Sequence, residues 1–86
     1  MNLMQSAFLL SAPTQELLAM LFRQSKITGS VQINFVAAKL DLSHAEAVQT
    51  IRRLQELGLV TYEKYGKISL TDSGRAYGSQ LVKTVG

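Results

Sequence analysis

The chain has 86 residues, a net charge of +3, 47% apolar residues and 17% charged residues. That is the composition of a packed globular chain, and a chain of 86 residues makes one small domain that buries roughly 60% of its unfolded surface. It has no Cys, and His44 is its only His, which excludes disulfides, zinc–thiolate sites, thiol nucleophiles and multi-His metal centres.

The N-terminal stretch MNLMQSAFLLSA is apolar but lacks the basic start of a secretion signal. No apolar run approaches the roughly 18–20 residues that span a bilayer, so a cytoplasmic protein is expected. Helix 1 is predicted over residues 13–25. Ser11 is its candidate N-cap, Pro13 suits its first turn, and Glu16 in that turn complements the helix dipole. Leu17, Leu18, Leu21 and Phe22 recur at helical spacing and face the core. Thr28-Gly29-Ser30 breaks the pattern, residues 31–33 read as a short β-type piece, and Asn34 is the candidate N-cap of a short helix 2. That helix turns Val36, Ala37 and Leu40 inward.

Asp41 stands in the sharp turn to helix 3, where a left-handed backbone suits Asp better than most residues. Ser43-His44-Ala45-Glu46 has the spacing of a capping box. Helix 3 continues to about Leu57, with Ala47, Thr50, Ile51 and Leu54 inward and Gly58 as its stop signal. Residues 59–64 and 67–71 are rich in β-branched and aromatic side chains and predict a hairpin with Tyr65-Gly66 at its tip. Tyr62 and Tyr65 are expected to pack in it. Thr71 is placed to cap a last helix over residues 72–83. Gly74 and Gly78 weaken that helix by roughly 1 kcal/mol each, which points to close packing against a neighbour such as a second subunit.

This order, helix–turn–helix followed by a hairpin, predicts a mainly α fold with a small β-hairpin wing. It is the winged helix-turn-helix, a three-helix core plus wing and a C-terminal helix. One domain is expected: an apolar segment over residues 1–12, a core over 13–71 and a helix over 72–86. Residues 36–60, VAAKLDLSHAEAVQTIRRLQELGLV, followed by YGKISLTDSGR, resemble the DNA-binding domain of iron-dependent (diphtheria-toxin-repressor-like) repressors and MarR-type regulators. The shared marks are Leu-x-x-Leu-Gly-Leu-Val at the end of helix 3 and Leu-Thr-x-x-Gly-Arg after the wing.

The resemblance implies sequence-specific binding of double-stranded DNA by a small prokaryotic transcriptional regulator. The outer face of helix 3 would enter the major groove, and the wing would touch the backbone. That face is Ala45, Val48, Gln49 and Arg52, flanked by Arg53 and Glu56. Gln49 suits an adenine edge, and Ala45 and Val48 suit a thymine methyl. Arg52 suits a phosphate or a guanine; Lys39, Lys64 and Lys67 suit phosphates; Ser43, His44 and Tyr65 complete the expected contact set. Glu46 and Val48 depart from the pattern, the wing is short and lacks Arg, and no metal site is carried over.

Phe35, expected to point outward, and the apolar Leu3, Met4, Phe8, Leu9 and Leu10 are expected to form one patch, covered either by packing within the chain or by a homodimer interface, to which Tyr77 and Leu81 are assigned. Two recognition helices in a dimer would meet half-sites roughly 34 Å apart. The competing reading is a protein-interaction module that keeps the fold without binding DNA. A third is a piece of a larger metal-sensing repressor. No Gly-rich phosphate loop, nucleophile elbow or telling carboxylate pair is present, so no enzyme activity, cofactor or small-molecule ligand is expected.

Overall fold

A computed structural model describes residues 10–85, with side chains to Lys83. Its elements are helix α1 (Ala12–Thr28), strand β1 (Val31–Gln32), helix α2 (Ile33–Leu40), helix α3 (His44–Glu56), strands β2 (Val60–Glu63) and β3 (Lys67–Leu70), and helix α4 (Asp72–Val85). The strands form one antiparallel sheet in the order β1-β3-β2. The architecture is thus mainly helical with a small three-stranded sheet.

The helix ends follow from local chemistry. Ser11 caps α1, its hydroxyl accepting from the Thr14 N–H at 3.4 Å. The helix starts at Ala12 and leaves Glu16 beyond the first turn, which holds no acidic residue. Asn34 is not the cap of α2. Gln32 is, without a side-chain bond, and Asn34 lies exposed inside the first turn. The cause is strand pairing: Val31 faces Ile68 and Gln32 faces Lys67. Pairing holds Gln32 extended, and Ile33 starts the helix directly after the last paired residue.

Both remaining helix–loop junctions use the same carbonyl-satisfying stop. After α2, Asp41 is left-handed (φ 55°, ψ 48°). The Leu42 N–H reaches the Ala37 carbonyl at 2.9 Å, and the Asp41 N–H reaches that of Ala38 at 3.4 Å. After α3, Gly58 (φ 78°) takes the same role. Its N–H bonds the Gln55 carbonyl at 2.9 Å, and the Leu59 N–H bonds that of Leu54 at 3.0 Å. This is a Schellman motif, with Leu54 and Leu59 both buried.

The core gathers Leu17, Leu18 and Leu21 from α1, Val36 from α2, Ile51 and Leu54 from α3, Val60 and Ile68 from the sheet, and Leu81 from α4. Each large side chain so buried contributes about 1.5–3 kcal/mol relative to exposure. Ala47 joins this stripe of α3, but Thr50 stays half-buried at its edge and donates its hydroxyl to the Glu46 carbonyl at 2.8 Å.

Thr71 ties α4 to the end of α3. Its N–H bonds the Leu59 carbonyl at 3.1 Å. Its hydroxyl donates to the Gly58 carbonyl at 2.6 Å and accepts from the Gly74 N–H at 3.0 Å. Arg75 donates to the Leu70 carbonyl at 3.0 Å and also pairs with Asp72. Gly74 lies against the Leu59 backbone, and Gly78 lies against the Phe22 side chain. The neighbours that require these glycines are therefore within the chain, not in a second subunit.

A Cβ on Gly74 would run into the Leu59 carbonyl oxygen, which is backbone and cannot step aside. Gly74→Ala is therefore expected to destabilise the fold by about 1–3 kcal/mol, despite the helix preference for Ala. Gly78→Ala, whose Cβ would meet Phe22 Cβ at 2.7 Å, should cost less because a side chain can shift. Urea denaturation of the two variants checks both the sign and the order.

Candidate nucleic-acid interface

Helix α3 is held in register at its start by the predicted capping box. The Ser43 hydroxyl accepts the Glu46 N–H at 3.1 Å, and the Glu46 carboxylate accepts the Ser43 N–H at 2.9 Å. The Ser43 N–H donated to the carboxylate, and second the Ser43 hydroxyl beside it, hold the Glu46 carboxyl below its ordinary pKa. With one face of α3 in the core, His44, Ala45, Gln49, Arg52, Arg53 and Glu56 are left exposed. Val48 is not fully on that face; it is half-buried and packs on the core.

The hairpin lies alongside. Val60 and Ile68 point into the core, while Thr61, Glu63 and Lys67 face outward. Glu63 and Lys67 are directly paired across the strands, with their charges 3.8 Å apart. Both are half-exposed, so the pair adds little stability. At the tip, Lys64 is exposed and Tyr65 is 95% exposed, so Tyr65 packs on nothing. Tyr65 (φ 64°) and Gly66 (φ 76°) are both left-handed, the backbone that tight hairpins use.

Beyond the core packing of Ile51 and Leu54 with Val60 and Ile68, a side-chain contact joins α3 to this hairpin. The Arg52 guanidinium lies over the Tyr62 ring, 5.9 Å from its centroid, a cation–π arrangement. Tyr62 is half-buried on the core side of β2. Its sequence marks Tyr62 only as a packing residue. The signal for its second role is its spacing of two from Val60, which puts it on the face that meets α3.

The structure gathers Ser43, His44, Ala45, Gln49, Arg52 and Arg53 on α3 or its cap, and Lys64, Tyr65 and Lys67 on the hairpin. Lys39 is exposed on α2 and borders a groove between α1 and α2 with Glu16 and Arg23. Four cations, Arg52, Arg53, Lys64 and Lys67, stand on α3 and the hairpin beside the carboxylates of Glu46, Glu56 and Glu63. Two of those carboxylates are engaged, Glu46 by the capping box and Glu63 by Lys67.

The expected interface residues divide differently. Leu81 is 1% exposed and belongs to the core, so it is not available to a partner. Leu10, Phe35 and Tyr77 are half-buried against the same core. Phe35 does not simply point outward, because Val31 and Gln32 of the edge strand border the same shallow groove. Leu3, Met4, Phe8 and Leu9 lie outside the described residues. Leu57, not singled out by its sequence, is 52% exposed beside Leu10, Leu59 and Tyr77.

Among the described residues no cluster of His, Cys, Asp and Glu could hold a metal ion. No described helix is long and apolar enough to cross a membrane. No family model and no curated protein matches the chain.

Tyr65 carries a side chain where the backbone is left-handed, a conformation that costs about 1–2 kcal/mol for most residues. Tyr65→Asn is expected to raise the urea midpoint, with a gain of about 1 kcal/mol. An unchanged or lower midpoint would mean the hairpin does not hold that backbone in solution.

The Glu46 contribution has a definite pH sign. A carboxyl held low in the folded state stabilises it above the ordinary pKa, and that contribution is lost as pH falls through the folded value. Urea melts of the wild type and Glu46→Gln from about pH 7 to about pH 3 should show a difference that is flat at neutral pH. The difference should change in the acid range, with the wild type falling more steeply than the variant.

Proposed function

We propose that this protein is a winged helix-turn-helix that binds double-stranded DNA in a sequence-specific way, as a small prokaryotic transcriptional regulator similar to the iron-dependent and MarR-type repressors. In this reading α3 enters the major groove and the hairpin is a wing on the sugar–phosphate backbone. The observation that carries it is the Arg52–Tyr62 stack. It brings the hairpin against the edge of the exposed face of α3, so that Gln49 and Arg52 on the helix and Lys64, Tyr65 and Lys67 on the hairpin stand on neighbouring elements.

Gln49 is exposed, and no hydrogen bond among the described residues occupies its amide, as adenine readout requires. Ala45 beside it leaves room for a thymine methyl. Arg52 takes a phosphate or a guanine, and Lys64 and Lys67 take phosphates. Glu46 does not oppose this arrangement strongly, because its carboxylate is turned back onto the helix cap. A homodimer would present two such surfaces to paired half-sites and raise an affinity that one small module leaves low. The second reading, a protein-interaction module, is favoured by one observation: cations and carboxylates on this face are nearly equal in number.

Titration of a labelled duplex at increasing salt tests the choice. Log affinity of the wild type is expected to fall linearly with log salt. Lys64→Ala/Lys67→Ala should flatten the slope by about 0.9 for each phosphate that is no longer neutralised. Gln49→Ala should leave the slope unchanged but relax preference at one base pair by about 1–3 kcal/mol. Absence of binding at low salt, at concentrations where circular dichroism shows folded protein, rules out the DNA reading and leaves the interaction module.

A further inference from the structure

The tip of the hairpin presents a ring that nothing within the chain uses. Tyr65 is 95% exposed, and its backbone is left-handed (φ 64°, ψ 21°). Gly or Asn adopts that backbone at less cost than an aromatic residue. A ring that gains no packing does not offset the cost, so its use lies outside the chain. The backbone that carries it is nonetheless held in place. A Cβ on Gly66 would come within 2.5 Å of the Ile33 Cγ2, so the tip lies directly on Ile33, which is itself buried. Behind the tip the strands are paired from Val60 with Leu70 to Glu63 with Lys67, and Gln32 of β1 faces Lys67 from the other side. Tyr65 therefore stands in solvent on a buttressed support.

The surroundings of the ring select what it meets. Lys64, the residue before it, is exposed and forms no ion pair among the described residues. Glu63 and Lys67 close the strand ends as a pair. An aromatic anchor for a protein partner works in a dry, well-packed surround, and the exposed residues of this hairpin, Thr61, Glu63, Lys64 and Lys67, are polar or charged. A nucleobase asks for less. It offers a π face to stack on, and the phosphate beside it meets a cation. A base inside a duplex has both faces covered by its neighbours, and freeing one costs unstacking. An unpaired base has a face open already.

We propose that Tyr65 is a base-stacking residue, and that the hairpin tip takes an unpaired nucleobase at the edge of a duplex, with Lys64 on the adjoining phosphate. Base stacking here rests on the DNA-binding reading and narrows it. A duplex that carries an unpaired base is bound more tightly than the same duplex fully paired.

The probes are an end-labelled blunt duplex of mixed sequence and the same duplex with a short single-stranded overhang containing 2-aminopurine, a base analogue whose fluorescence is quenched by stacking. Anisotropy at low salt should show the overhang duplex bound about 5- to 100-fold more tightly than the blunt one. Tyr65→Phe should keep that ratio, because the ring remains, and Tyr65→Ala should bring it to about one. Circular dichroism checks that both variants are folded. The 2-aminopurine signal should fall on binding of the wild type, a readout that needs no variant, and should not fall with Tyr65→Ala. Equal affinity for the two duplexes, a preference that survives Tyr65→Ala, or an unquenched probe at saturation would overturn the inference and leave DNA binding standing. No binding of either duplex removes the DNA reading and base stacking together, and leaves the ring to a protein partner.

Discussion

The backbone carbonyls of Gly58 and Leu59 are the point on which the rest of the structure depends. They follow the end of α3, and both are taken up by Thr71, thirteen residues from Gly58. Thr71 in turn caps α4 through the Gly74 N–H. Gly74 has no Cβ to strike the Leu59 carbonyl, so α4 begins in direct contact with the chain leaving α3. Arg75 then takes the Leu70 carbonyl at the end of β3. Four residues of the run Leu70-Thr71-x-x-Gly74-Arg75 thus join the end of α3, the end of the hairpin and the start of α4. The hairpin cannot change its angle to α3 without breaking bonds at this junction.

That constraint explains why α3 presents a fixed surface. Its first turn is closed by Ser43 and Glu46, and its last turn is closed by the Gly58 and Leu59 amides. Ala47, Ile51 and Leu54 hold the inner face in the core, so the rotation of the helix about its axis is set by packing. The Arg52 guanidinium over the Tyr62 ring adds a weak contact between the helix and the hairpin. A surface that is to read base edges needs this rigidity, because a bidentate hydrogen bond tolerates little misplacement. The same features would equally serve a protein contact, so rigidity alone does not choose between them.

The features legible in the sequence are those with a local chemical cause. The capping box, the left-handed Asp41, the Gly58 stop and the Thr71 cap each depend on residues within a few positions of one another, and all stand where the spacing puts them. Expectations fail where a distant partner decides. Asn34 is a good cap by composition, but pairing of Gln32 with Lys67 moves the helix start to Ile33. Leu81 reads as a spare apolar residue for a partner, yet it completes the core. Gly74 and Gly78 point correctly to close neighbours, but the neighbours are Leu59 and Phe22 of the same chain. Tyr62 becomes part of the candidate surface through its placement beside Arg52: its spacing of two from Val60 gives the face it lies on, but not the partner it meets there.

The distribution of charge carries the final step. A net charge of +3 would give a weak field if the cations were spread evenly, and the structure does not spread them so. Arg52, Arg53, Lys64 and Lys67 stand on α3 and the hairpin, while Arg23 and Lys39 line a groove between α1 and α2 together with Glu16. Of the carboxylates near the first group, Glu46 is turned onto the helix cap and Glu63 is paired with Lys67. A phosphate backbone demands charge without apolar cover, and under the DNA reading it is this polar surface on α3 and the hairpin that meets the demand.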